Sequence, residues 1–116
     1  MNTDLVKLAQ EVEAALTLDG DLVERVIAQL FEVLGDQRIE PKHLDSTDQI
    51  LALIAAIRPG WAMSMKGAAH LPNGHWSCSL RKSDLRDNDE YLGIGRGPTL
   101  PHSLLAALLK ALAQAS

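Results

Sequence analysis

The sequence contains one cysteine and very few aromatic residues. Cys78 has no partner within the chain for a disulfide bond, and residues 1–4 do not begin a basic and then apolar leader. Both features favour a reducing compartment, so we expect the protein in the cytoplasm. Aromatic residues make up 3% of the chain, whereas hydrophobic residues make up 47%. We therefore expect a core built mainly from Leu, Ile, Val, Ala and Met.

Long apolar segments and an excess of positive charge are also missing. The longest apolar run, Ile50 to Ile57, is far shorter than the roughly 20 residues that cross a bilayer, so we expect no membrane partner. The formal net charge of −4 disfavours general attraction to phosphate backbones, because that attraction depends on clustered Lys and Arg. A protein partner or a small molecule is expected ahead of nucleic acid.

The length of 116 residues is that of one ordinary domain. We predict a single domain over residues 1–116. Its N-terminal helical part covers residues 1–35, and a helix–strand–strand–strand–helix part covers residues 43–116.

Helix signals occur at several points along the chain. Apolar residues recur at helical spacing after Thr3 and again after Asp21, and Gly35 ends the second helix. Either Asp45 or Ser46 caps a third helix, since both side chains can accept a hydrogen bond from an amide of the first turn.

Beyond Gly60 the apolar residues change to a period of two, which indicates strands with one buried face. The Asn73-Gly74 pair tolerates the positive φ angle of a tight hairpin turn. One face of the predicted sheet carries the larger residues: Trp61, Met63, Met65, Trp76, Cys78, Leu80, Leu92 and Ile94. The other face is mostly Ala, Ser and Gly.

The last helix, with Thr99 as its cap and Pro101 in its first turn, is apolar almost all round. We expect it to pack on the large-residue face. The N-terminal helices either cover the small-residue face or leave it open to a partner, and their broad apolar stripes favour coverage. The expected fold class is α+β, a three-stranded antiparallel meander with helices on both faces, or α-β-α sandwich.

Three short motifs carry a family resemblance. They are Leu44-Asp45-Ser46-Thr47-Asp48-Gln49-Ile50, Arg58-Pro59-Gly60-Trp61 and Gly95-Arg96-Gly97-Pro98-Thr99, the last leading into a Leu- and Ala-rich helix. Over roughly residues 44–113 the chain resembles the phage ABA sandwich domain, a family of small proteins of phages and prophages. The resemblance implies this fold and phage ancestry, and it implies no catalytic residues.

The glycine-rich segment Gly93–Thr99 is one candidate anion site, formed by Gly95, Arg96, Gly97 and Thr99. Loop amides and a helix N-terminus together favour a negative group. The segment lacks the spacing of a dinucleotide fingerprint and the Lys of a phosphate loop. Alternating glycines also leave room for a helix, and we favour this packing explanation.

Two further segments are candidate metal sites. His70 and His75 flank the predicted hairpin turn, but Cys78 points to the opposite face from His75, so the three do not complete a zinc site. The acidic segment Lys82–Glu90 does not have the spacing of a calcium-binding loop. We expect no metal and no cofactor, and we identify no catalytic nucleophile.

The sequence is compatible with three functions. The favoured one is a non-enzymatic phage or prophage protein that binds another protein, with host machinery as a possible target. The second is a nucleic-acid-binding module, because three strands followed by a helix resemble the topology of a double-stranded-RNA-binding domain. That helix begins with Leu100, Pro101 and His102, where such domains place lysines. The third is a small anion- or nucleotide-binding protein that uses Gly93–Thr99.

Overall fold

A computed structural model of the protein describes residues 3–15, 19–35, 39–44, 46–58, 60–67, 76–81 and 91–115. Within these ranges the helices are α1 (Thr3–Ala14), α2 (Gly20–Leu34), α3 (Thr47–Ile57) and α4 (Leu100–Ala115), and the strands are β1 (Ala62–Lys66), β2 (Trp76–Arg81) and β3 (Tyr91–Gly97). A short 3₁₀ helix covers Pro41–Leu44. No helix in the described ranges has both the length and the apolar character needed to cross a bilayer.

The helix ends follow local capping chemistry. The Asp19 carboxylate accepts a hydrogen bond from the Leu22 amide at 2.8 Å and so caps α2. Gly35, with φ of 70°, ends that helix as predicted, and its N–H bonds the Phe31 carbonyl. Ser46, one of the two predicted caps of α3, accepts from the Gln49 amide at 3.3 Å.

The sheet is antiparallel in the order β1-β2-β3, which confirms the predicted α+β class and meander. Residues directly opposite each other in an antiparallel pair lie on the same face. Cys78 lies opposite Met65 on one side and opposite Gly95 on the other. Met65, Cys78 and Gly95 therefore share one face of the sheet, which we call the core face.

Helix α4 lies against the core face, as predicted. A Cβ atom at Gly93 would lie 2.6 Å from the Ala111 nitrogen, and a Cβ at Gly95 would overlap the backbone of Ser103 and Ala107. Alternate strand residues are about 6.6 Å apart, and helix residues four positions apart are separated by about 6 Å along the axis. The two backbones therefore match in spacing, and α4 runs antiparallel to β3.

The predicted face of Ile94 is wrong. Because Cys78 is opposite Gly95, the glycines of β3 lie on the core face and Ile94 lies on the other, where its side chain is 41% exposed. The physical reason is the close approach of α4, whose backbone occupies the space that large side chains of β3 would need. The predicted orientation of the Leu92 side chain lies outside what the structure describes.

Helix α4 is the centre of the molecule. Its other sides contact α1 and α3, while α2 packs on α1 and on the 3₁₀ helix. The residues from Leu104 to Leu109 are all fully buried, and Leu5, Leu30, Ile50 and Leu80 belong to the same aliphatic core. The predicted aliphatic core is confirmed for Leu, Ile, Val and Ala, whereas of the described methionines Met63 is half-buried and Met65 is 42% exposed.

In the described part of the chain, the side of the sheet opposite α4 is largely uncovered. Ser64, Lys66, Ile94 and Arg96 are exposed, and Ser77 and Ser79 are half-buried. Among the described residues, the N-terminal helices meet the sheet mainly where the end of α1 contacts β3. Of the two alternatives for this second face, these exposures favour a surface open to a partner.

Candidate interaction surface

The uncovered side of the sheet, called the open face below, is defined by the side chains that alternate with those of the core face. Its described residues are Ala62, Ser64, Lys66, Ser77, Ser79, Arg81, Ile94 and Arg96. Small Ala and Ser side chains leave its centre shallow. Such a shallow surface can accept another backbone or a flat protein surface at close range.

The charges on the open face have one sign. Its described charged residues are Lys66, Arg81 and Arg96, all basic, although the whole chain carries a net charge of −4. The exposed apolar side chain of Ile94 lies in the same strand as Arg96, two positions away. A surface of this kind suits a partner that offers carboxylates beside apolar groups.

A groove of about 890 Å³ runs between the end of α1 and β3. Ala14 and Ala15 line it from α1, while Ile94 and Arg96 line it from β3. The groove places the apolar side chain of Ile94 next to the guanidinium group of Arg96, and the Glu13 and Lys110 side chains also belong to its lining.

The outer edge of β3 is closed by two charged side chains. Glu13 of α1 accepts a hydrogen bond from the Arg96 amide at 2.8 Å, and Lys110 of α4 donates to the Ile94 carbonyl at 3.0 Å. Glu13 and Lys110 also pair with each other at 3.0 Å, with side chains that are 20% and 28% exposed. These contacts satisfy backbone groups of β3 that would otherwise be free to pair with another strand.

The same two contacts fix which backbone groups of the sheet point outward. In antiparallel strands, residues alternate between pairs that exchange hydrogen bonds and pairs that do not. The Arg96 amide and the Ile94 carbonyl point away from β2, so their partners Ser77 and Ser79 direct their own amides and carbonyls toward β1. Ser77 and Ser79 thus bond with β1.

It follows that the outer edge of β1 presents the backbone of Met63 and Met65. Ser64 and Lys66 face Ser79 and Ser77 and are hydrogen-bonded to β2. Met63 and Met65 therefore direct their N–H and C=O groups away from the sheet. Among the described elements, β1 makes extended contact with β2 alone, and Met65 is 42% exposed. As far as the described ranges extend, the β3 edge of the sheet is closed and the β1 edge is open.

The predicted anion-site residues do not converge. Gly95 and Gly97 lie on the core face under α4, whereas the Arg96 side chain is on the open face. Thr99 caps α4, since its hydroxyl accepts from the His102 amide at 3.4 Å and contacts His102 Nδ1 at 2.5 Å. The Arg96 amide already bonds the Glu13 carboxylate, so it is not available to an anion.

His102 is a buried polar residue that the sequence patterns did not single out. It is 5% exposed, its Nδ1 contacts Thr99, and its Nε2 is buried without a hydrogen-bond partner. Burial lowers the pKa of this imidazole, because the charged form loses its hydration. The Thr-x-x-His spacing at a helix start was the available signal.

Cys78 also lies at the contact between the sheet and α4. Its sulfur is 3.1 Å from the Ser103 hydroxyl, which in turn donates to the Leu100 carbonyl at 2.9 Å. Burial raises the pKa of the thiol, and the Ser103 contact opposes this effect only in part. A buried thiol that stays protonated is a poor nucleophile.

The candidate metal residues His70 and His75, and the acidic segment Lys82–Glu90, lie outside the described residues. Within the described ranges, no three His, Cys, Asp or Glu side chains come together in a way that could hold a metal ion.

Comparisons with protein-family models, with curated proteins and with solved structures found no significant match to this chain. The resemblance to the phage ABA sandwich domain therefore depends on the three motifs alone.

Proposed function

We propose that this protein is a small non-enzymatic binding protein of phage or prophage origin that attaches to another protein through the open face of its sheet. It does so in the cytoplasm of a bacterial host cell. The observation that carries the proposal is the uncovered sheet face with basic residues on an acidic chain.

The charge distribution supports a directed contact. A chain with a net charge of −4 repels acidic partners at long range, but Lys66 and Arg96 make the open face locally attractive to them. Electrostatic complementarity of this kind selects the orientation in which partners meet and disfavours wrong partners. Ile94, in the same strand as Arg96, adds apolar area that becomes buried on contact.

Affinity capture from bacterial lysate, with and without nuclease, tests the proposal. The test variant carries Lys66→Glu and Arg96→Glu on the open face. The control variant carries Lys7→Glu and Lys42→Glu, which change the net charge equally at exposed positions on α1 and the 3₁₀ helix. We expect the wild type and the control to capture the same protein in the presence of nuclease, and the test variant to lose it. Equal capture by both variants would contradict the open face as the binding surface.

Nucleic-acid binding is the second candidate, because the same basic residues could contact phosphates. The start of α4 argues against the double-stranded-RNA mode, since its third residue, His102, is buried and its neighbours Leu100 and Pro101 are not basic. Capture that disappears with nuclease, together with a gel shift that weakens as salt rises, would favour this candidate over the first.

A further inference from the structure

The open edge of β1 offers a more specific mode of attachment. We infer that this edge receives an extended, acidic segment of the partner protein, which adds to the sheet as a fourth strand. The inference depends on the proposed protein-binding function and names the chemistry of its partner.

The geometry of β1 specifies the hydrogen bonds. Met63 and Met65 each present an outward N–H and C=O, as the bonding pattern of β2 and β3 requires. An added antiparallel strand would form two hydrogen-bonded residue pairs with them. Backbone bonds of this kind supply affinity without demanding a particular sequence, and the side chains beside them supply selectivity.

The two faces of the sheet predict an alternating partner sequence. Partner residues opposite Met63 and Met65 would lie on the core-face side, beside the exposed part of Met65, and should be apolar. The residues between them would lie beside Ala62, Ser64 and Lys66 on the open face. Those positions favour polar or acidic side chains.

Charge selects an acidic partner over a neutral one. Lys66 ends β1 and is exposed, and Arg58, stacked 5.9 Å from the Trp61 ring, precedes its beginning. The described residues of β1 and β2 include no carboxylate. Lys66 therefore offers a cation at one end of the edge to a carboxylate of the incoming segment, and Arg58 adds positive charge shortly before the strand begins.

A second copy of the chain fits this edge less well. A second β1 strand contains no carboxylate that could pair with the positive charge at this edge. A short edge strand that ends in Lys is also a device that proteins use against edge-to-edge pairing. Both copies would in addition carry a net charge of −4.

The probe comes from a random library of seven-residue peptides displayed on yeast. Peptides that bind the wild-type protein are selected from it. Binding of the selected peptides is then measured by fluorescence anisotropy on three variants. Met65→Pro removes an outward N–H without removing a bond to β2, Met65→Leu is its matched control, and Lys66→Glu reverses the charge. Circular dichroism confirms that each variant is folded.

We expect selected peptides to alternate apolar residues with Asp or Glu. Met65→Pro should weaken binding about tenfold or more and Met65→Leu by about twofold or less, since only the former loses a backbone donor. Should Met65→Pro fail to fold, N-methylated versions of the selected peptides are tested on the wild-type protein instead. Methylation of the alternate amides that face β1 should abolish binding, whereas methylation of the amides that face away should not.

Failure of the library to give binders, selection of peptides without acidic residues, or equal binding to Met65→Pro would overturn the inference. A dimer in sedimentation experiments that Met65→Pro dissociates would overturn it in favour of a second copy. If lysate capture survives Met65→Pro but not the Lys66 and Arg96 reversals, the proposed function holds and the strand-addition mode fails.

Discussion

Glu13 and Lys110 are 97 positions apart in the sequence, yet their carboxylate and ammonium groups lie 3.0 Å apart at the outer edge of β3. The pair connects the first and last helices. It also satisfies the Arg96 amide and the Ile94 carbonyl, so one contact combines an ion pair with closure of a strand edge.

Replacing Glu13 with Ala should destabilise the fold by about 1–2 kcal/mol, because a partly buried Lys110 and the Arg96 amide lose a charged acceptor. Urea denaturation measures this change. Glu11→Ala is the matched control, since its ion pair with Arg25 is exposed and should contribute little. Equal effects of the two substitutions would contradict the role given to the edge contact.

Replacing Gly95 with Ala should cost about 1–3 kcal/mol, because the added Cβ overlaps the backbone of Ser103 and Ala107 and α4 must move away from β3. Gly20→Ala is the control. A Cβ at Gly20 would meet no atom within 4 Å beyond its chain neighbours and its own helix backbone, and this residue begins α2, so the substitution should stabilise by about 0.5 kcal/mol. Thermal unfolding of both variants tests the close packing; a Gly95 variant as stable as the wild type would exclude it.

The bonding pattern predicts an alternation of amide exchange along β1. The amides of Ser64 and Lys66 bond to β2 and should exchange slowly, whereas those of Met63 and Met65 point outward and should exchange quickly. Hydrogen exchange followed by NMR resolves the four amides individually. Protection of Met63 and Met65 in the free protein would mean that another group already occupies the edge.

Stability should fall as the pH drops below about 6.5, the ordinary pKa of histidine. Because burial lowers the pKa of His102 in the folded state, the unfolded chain takes up a proton that the folded protein does not. The stabilising contribution is therefore present above pH 6.5 and declines below it, by at most about 1.4 kcal/mol per pH unit.

His102→Gln is the variant that isolates this effect. Its free energy of unfolding should depend less on pH between 7.5 and 5.5 than that of the wild type. Equal slopes in the two proteins would show that other groups account for the acid sensitivity.

Local signals in the sequence predicted much of the fold. Gly35 and Ser46 mark helix ends through capping chemistry, and the period-two apolar residues from Trp61 to Leu80 indicate two strands with one buried face. The α+β class and the position of α4 on the core face follow from such patterns.

Local signals could not predict which residues of β3 point to the core face. Hydrophobic alternation places Ile94 inward, but the register with β2 places Gly95 inward, because a helix backbone fills the space. The glycines of β3 lie opposite the small residues Ser103, Ala107 and Ala111 of α4. This correspondence is visible only once the strand and the helix are in contact, so neither segment predicts it alone. Trp76 also departs from the simple alternation. It lies on the core face, but it is half-buried over Gly67 and is not part of the aliphatic core.

The candidate surface depends on tertiary contacts even more strongly. Lys66 and Arg96 are far apart in the sequence, and their common face is set by the register of two strand pairs. Which edge is open depends on Glu13 and Lys110, residues from helices that no local pattern connects to the sheet.

The central position of α4 also constrains folding during synthesis. A nascent chain that has not yet reached Leu100 contains all three strands, but its glycine-lined core face has no helix to pack against, and α1 lacks the helix with which it makes its most extensive contact. Segments made early must therefore wait for the last helix, and until it emerges the unfinished chain exposes the surfaces that chaperones recognise.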